Sequence, residues 1–248
     1  MRADKLLANA GFGTRKEVKK LLKQGVVMAD GKKVTQGSEQ IYPETQHIEV
    51  KGEPFFYREY IYLMMNKPAG LISATEDDFH ETVLDVLEWD DVVRRPFPVG
   101  RLDKDTEGML LITNDGKFSH ALTSPKKGVP KTYEALLDQP AAREDVEAFS
   151  RGIVLEDGYE TKPAELLVPE SSPDRVNVTI REGKFHQVKR MFESVGKKVT
   201  YLKRIQIGSL PLDETLAPGE YRDMEDREIH LLLEEAYQRT KNGTVSSD

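Results

Sequence analysis

Apolar residues fall into short runs, continuous or alternating, set apart by glycine, proline and acidic turns, and the period of each run predicts an element. Near the N-terminus Leu6, Leu7 and Ala10 make one helical stripe that Gly11-Phe12-Gly13 ends. Thr14-Arg15-Lys16-Glu17 has the form of a capping box, so a second helix is expected from there to about Gln24, stopping at Gly25. Val18, Leu21 and Leu22 share one side of it, and Arg15, Lys16, Lys19, Lys20 and Lys23 occupy the others. Val26-Val27-Met28 and Lys33-Val34, joined through Asp30-Gly31, read as a hairpin. Residues 43–58, with Pro43 and Pro54, read as a linker holding one short strand, which predicts a variable orientation of what it joins.

A larger region opens on Tyr60–Met65, a continuous apolar run expected as a buried strand and ended by Asn66-Lys67-Pro68. Further strands are predicted near 97–103, 109–113, 131–137, 163–168, 175–181 and 198–206, and helices near 81–88, 117–123, 141–150 and 186–194. A last helix is expected near 224–238. The irregular order, without a βαβ repeat, predicts an α+β domain with a mainly antiparallel mixed sheet. The expected division is a module with its linker at 1–58, a main domain at 59–240 and a flexible tail at 241–248.

Length allows two such units, since 248 residues can bury more than one core. The absence of cysteine excludes disulfides, thiol nucleophiles and thiolate metal sites. No run reaches the ~18 apolar residues of a membrane span, and the first residues lack a signal peptide's apolar core, so a cytoplasmic location is expected. A net charge of -7 argues against a uniformly basic nucleic-acid binder, but the cations are unevenly placed. In the helix 14–24 the sole acid, Glu17, is spent on the cap. In segment 181–204, Arg181, Lys184, Lys189, Arg190, Lys197, Lys198, Lys203 and Arg204 meet only Glu182 and Glu193. A lysine-rich helix taken alone is more often a solvated face, yet a ridge without balancing acids suits a phosphate backbone.

The stretch Gly100 to Gly116 crowds Asp103, Asp105 and Glu107 between Arg101 and the apolar run Met109–Thr113. A calcium loop fits poorly: Glu107 and Asn114 stand where the fifth and twelfth ligands belong, and Arg95-Pro96-Phe97-Pro98 cannot form an entering helix. Asp103 and Asp105 on one side of an extended end could hold a divalent ion, without a histidine cluster to help. A plain polar turn, with Asp103 capping amides and Arg101 paired to an acid, is the ordinary alternative. A fourth reading makes one carboxylate a nucleophile or base aimed at a sugar ring, fixed by the buried strand behind it.

Gly100-Arg101-Leu102-Asp103-Lys104-Asp105-Thr106-Glu107-Gly108-Met109-Leu110-Leu111 resembles the signature of the pseudouridine synthases, in which the sole essential aspartate stands at Asp103. Lys131-Thr132-Tyr133 resembles the family's second motif, and Glu182–Phe192 its third. The N-terminal module resembles the S4 RNA-binding domain, and the combination is similar to the branch acting on small-subunit ribosomal RNA. The resemblance implies Asp103, Tyr133 and Lys189 as catalytic residues, with Tyr133 against the target base and in proton transfer. It implies a basic partner for Asp103, either Lys189 or Arg190, with Lys189 favoured although the family often has arginine there. Arg101, Arg190 and His186 become substrate contacts, and Arg15, Lys16, Lys19, Lys20 and Lys23 RNA contacts. No cofactor or metal is implied, and the partner is ribosomal RNA, free or in an assembly intermediate, with a monomer the simplest state. By spacing alone, a helix from His186 puts His186, Lys189, Arg190 and Glu193 on one side and Val188, Met191 and Phe192 toward a core. Two rivals stand beside this: a non-catalytic RNA-binding or ribosome-assembly factor, and a synthase acting on large-subunit RNA.

Overall fold

The cap expected at Thr14 forms as a reciprocal pair. In the computed structural model, which describes residues 1–242 and side chains to Gln238, the Thr14 hydroxyl accepts from the Glu17 N–H and the Glu17 carboxylate accepts from the Thr14 N–H at 2.7 Å. It starts α2 (Arg15–Lys23), whose Val18 and Leu22 are buried in one core with Leu6 and Leu7 of α1 (Ala3–Asn9). Strands β1 (Val27–Ala29), β2 (Lys32–Lys33), β3 (Ile48–Val50) and β4 (Glu53–Phe55) complete this unit as an antiparallel sheet of order β2-β1-β3-β4. Segment 43–58 therefore holds two paired strands, not one strand in a linker. Lys51 and Gly52, at φ 57° and 87°, make the tight hairpin turn between them, and Pro54 is tolerated because β4 lies at the edge.

Contacts divide the chain into Met1–Ile61 with Leu87–Pro96, and Tyr62–Val86 with Phe97 onward. The excursion 87–96 carries the short α3 (Trp89–Val92) and packs Val93 on Gly11, where a Cβ would come within 2.7 Å of the valine. No helix forms at 81–88. The Thr82 N–H and hydroxyl both donate to the Asp85 carboxylate, at 2.7 and 2.9 Å, and such local side-chain bonds compete with a helical backbone.

The second unit is built on β5 (Tyr62–Lys67), β6 (Phe97–Pro98), β7 (Glu107–Thr113), β8 (Lys131–Leu137), β9 (Glu165–Leu167), β10 (Arg175–Ile180), β11 (Val199–Ile207), β12 (Leu210–Pro211) and β13 (Tyr221–Asp223). Their order is β13-β5-β7-β11-β8-β10-β9, with β6 on β7 and β12 on β11. Every pair is antiparallel except β7 with β11, so the sheet is mixed and mainly antiparallel. The strand expected over 97–103 is cut to two residues, because Gly100 turns at φ 74° and Leu102 is bound through Ser73 instead. Helices α4 (Gly116–Thr123), α5 (Arg143–Arg151), α6 (Gln187–Ser194) and α7 (Asp226–Asn242) accompany it. Phe118 and Leu122 of α4 and Leu232 of α7 share a core with Met64, Met109 and Leu111 of the sheet. Helix α7 runs past the expected end at 238, and residues 243–248 of the expected tail lie outside the described residues. No described helix is long and apolar enough to cross a membrane.

Register decides what the sheet offers. Lys67 of β5 stands opposite Gly108 of β7, Gly108 opposite Arg204 of β11, Arg204 opposite Tyr133 of β8, and Tyr133 opposite Val178 of β10. One row across five strands therefore carries a lysine, an arginine and a tyrosine, and the acidic turn enters it at Gly108.

Candidate active site

The acidic turn is held from behind by the end of β5 and the segment that follows it. The fully buried Lys67 ammonium donates to the carbonyls of Pro68 and Thr106 at 2.9 Å and of Lys104 at 3.4 Å. The Gly70 N–H donates to the Lys104 carbonyl at 2.7 Å, and Ser73 exchanges two bonds with the Leu102 backbone. Backbone bonds thus fix residues 102–106, leaving the Asp103 side chain free to face α6. Its Oδ2 accepts from Lys189 Nζ at 3.2 Å, and its Oδ1 lies 3.6 Å from His186 Nε2. The same ammonium reaches Asp105 Oδ1 at 2.6 Å, so Lys189 lies between the two carboxylates, where a cation would sit. Burial lowers the Lys189 pKa, but its bond to Asp105 and the charge of Asp103 prevail and hold it above the usual lysine range. The bond from Lys189 holds the Asp105 carboxyl below its usual range against burial.

The helix register separates the two candidate cations. Arg190 Nη2 pairs with Asp157 Oδ2 at 2.6 Å and Nη1 donates to the Phe185 carbonyl, so Lys189 is the cation on Asp103. His186 caps α6 at φ 49°, a left-handed conformation uncommon for a residue with a Cβ, and this aims its ring at the aspartate. Arg101 is exposed. Tyr133 is buried in β8, and its hydroxyl lies 3.4 Å from Arg204 Nη1. Arg204, fully buried, donates Nε to the Met109 carbonyl at 2.7 Å, while its Nη2 finds no partner among the described residues.

Comparison with known proteins places this geometry. Residues 61–194 match the RNA pseudouridylate synthase family and residues 1–46 the S4 domain. The chain belongs to the RNA pseudouridine synthases. Over 236 residues it is 54% identical to an uncharacterized RNA pseudouridine synthase of Bacillus subtilis (strain 168), covering 94% of this chain and 99% of that protein. Over 230 residues it is 44% identical to ribosomal small subunit pseudouridine synthase A of Vibrio cholerae, covering 92% and 98%. A solved pseudouridylate synthase superposes with TM-score 0.66 at 38% identity, covering 94% of this chain and 99% of that one. The synthase is thus an RNA isomerase carrying an S4 RNA-binding domain. In that domain the side chains of Arg15, Lys16, Lys19, Lys20 and Lys23 are all exposed, and none ends in an ion pair among the described residues.

Sequence reasoning about the synthase missed Lys67, Arg204 and the share of Lys189 taken by Asp105. Glu107, the third carboxylate of the acidic stretch, accepts from the Tyr201 hydroxyl across the sheet at 2.9 Å. The available signal was a charged residue inside each apolar strand pattern, in Met64-Met65-Asn66-Lys67 and in Leu202-Lys203-Arg204-Ile205. Burial pushes the Lys67 ammonium down to about 8, against the opposing carboxylates of Asp105, Glu107 and Asp103. An unfolded lysine keeps its proton to about pH 10.4. Between about pH 8 and 10 the unfolded chain therefore binds more protons, and stability rises with pH. Lys131, also pushed down to about 8 by burial and by Arg204, adds to the rise. Tyr201, pushed up to about 12 by burial and Glu107, reverses it above about pH 10. Lys67→Met is expected to remove roughly half of the rise between pH 8 and 10, read from urea unfolding at each pH. An unchanged slope would refute the assignment.

Proposed function

We propose that this synthase converts a specific uridine of small-subunit ribosomal RNA to pseudouridine, with Asp103 as the acting carboxylate and Tyr133 and Lys189 as its catalytic partners. The observation that carries the reading is the Asp103 carboxylate, fixed by a turn bound through its backbone and paired with Lys189 and His186 on its open side. In the reaction the N1–C1′ bond breaks, the uracil turns within the site, C5 bonds to C1′, the C5 proton leaves and N1 gains one. A stacked base is out of reach, so the uridine is flipped out and received against Tyr133. Asp103 then either attacks C1′ or takes a proton from the ribose; each route needs a carboxylate held in one place. Lys189 orients Asp103, while Arg101, His186 and Arg190 contact the flipped nucleotide. The small-subunit target is supported by the relative from Vibrio cholerae, whose name carries it, and by its near full-length match. A ribosomal target sets the place of work in the cytoplasm.

The test is a base-resolved pseudouridine map of small- and large-subunit RNA, free and in assembly intermediates, after incubation with the protein in EDTA. One new site in small-subunit RNA is expected. A site only in large-subunit RNA would overturn the target, and tight binding without any new site would leave an RNA-binding factor.

The S4 cations enter through affinity. Neutralising Lys16, Lys19 and Lys20 together as glutamine is expected to weaken RNA binding and to lower the slope of log Kd against log salt by about 2, since each phosphate contact releases counterions. Filter binding from low to moderate salt reads this, and an unchanged slope would show that α2 faces solvent only.

A further inference from the structure

In the second unit the two most exposed large apolar side chains, among the described residues, are Phe79 at 89% and Phe185 at 76%. Folding has no use for either ring, so each is open to a partner. Their surroundings differ. Phe79 follows Glu76, Asp77 and Asp78, which repel phosphate, and the Asp77 carboxylate takes the N–H groups of Phe79 and His80 at 2.9 Å. Phe185 lies in the basic segment between Lys184 and Lys189. Its ring is stacked on that of His186, with centroids 3.7 Å apart and planes at 19°, and the same His186 lies 3.6 Å from Asp103 Oδ1. An exposed aromatic face is thus held one residue from a side chain that touches the acting carboxylate. The left-handed backbone at His186 sets both rings, and strain kept at such a position points to use.

We infer that Phe185 is a stacking platform for the RNA base next to the flipped uridine, an inference that rests on the proposed function. The uridine itself enters toward buried Tyr133. Phe185 stays at the rim, where the neighbouring nucleotide passes once the strand is opened. Stacking on an aromatic face tolerates any base and gives affinity without reading sequence, while the exposed Lys184 beside the ring supplies charge for a phosphate. A purely apolar protein partner would not call for a flat ring beside an exposed cation.

The experiment measures KM and kcat at the mapped uridine for wild type, Phe185→Ala, Phe185→Leu and Phe185→Trp, with Phe79→Ala as the control. It uses the RNA that the map shows to be modified, intact and with an abasic residue on each side of the uridine in turn. Phe185→Ala and Phe185→Leu are expected to raise KM roughly tenfold with little change in kcat, Phe185→Trp to stay near wild type, and Phe79→Ala to change nothing. The defect of Phe185→Ala should vanish on the RNA lacking the stacked base. A leucine as good as phenylalanine, a loss confined to kcat, or an equal defect on every RNA would overturn the inference alone. A wild-type protein that modifies no uridine would overturn it together with the proposed function.

Discussion

Asp103→Asn is expected to abolish isomerisation, with a loss of at least about 10³-fold in turnover, the scale seen when an acting nucleophile or base is removed. The amide is nearly the size of the carboxylate but neither attacks C1′ nor takes a proton. The fold should hardly change. The Asp103 side chain is about one-quarter exposed, at 27%, and among the described residues pairs only with Lys189 and His186, while the turn is fixed through the backbone by Lys67, Gly70 and Ser73. Lys189 keeps Asp105 at 2.6 Å, so no buried cation is stranded. The check is single-turnover conversion of the mapped uridine, with RNA affinity and the thermal midpoint measured on the same sample. Retained turnover would end the assignment of Asp103, and lost turnover with lost folding would move its role to structure.

The second large effect falls on stability. Gly108 sits at φ 96°, and a Cβ there would run into the Arg204 carbonyl oxygen and come 2.9 Å from the Arg204 nitrogen. This is where β7 and β11 make the sheet's parallel pairing, Arg204 opposite Gly108. Gly108→Val adds a β-branched side chain to a left-handed backbone and pushes two central strands apart. A cost of about 3–5 kcal/mol is expected, from strain and overpacking together. For a unit of this size that lowers the thermal midpoint by about 10 °C or more. Gly116→Ala is the matching control. Gly116 opens α4, has no left-handed φ and has nothing within 4 Å of its would-be Cβ, so alanine should be neutral or gain up to about 1 kcal/mol. Similar midpoints for the two variants would show that β7 and β11 are not so closely joined.

Much of the candidate site was legible because its parts are contiguous in the chain. Asp103 with its glycines, Lys131-Thr132-Tyr133 and His186–Arg190 are each a local pattern, and a local pattern survives without knowledge of the fold. What failed was of two kinds. The helix expected at 81–88 lost to side-chain bonds between Thr82 and Asp85, a competition that apolar spacing does not register. The second strand within 43–58 was hidden by Pro54, which argues against a central strand but fits an edge. The choice between Lys189 and Arg190 turned on about 100° of helix rotation, and Asp157, more than thirty residues away, takes the arginine.

By itself the sequence determined the cap of α2, the apolar faces, the α+β class, the lack of thiol chemistry and the unbalanced cations of α2, because these depend on neighbours within a few residues; in segment 181–204 acids distant in sequence pair Lys189, Arg190 and Lys197, and Arg204 is buried. Tertiary structure alone decided which strands lie side by side, and so which side chains share one environment. Lys67, Gly108, Arg204 and Tyr133 are separated by 25 to 71 positions between successive members in sequence order, yet they stand in one row across the sheet. Strand register is set by long-range pairing and by close approach at Gly108, and no local pattern of residues carries that information.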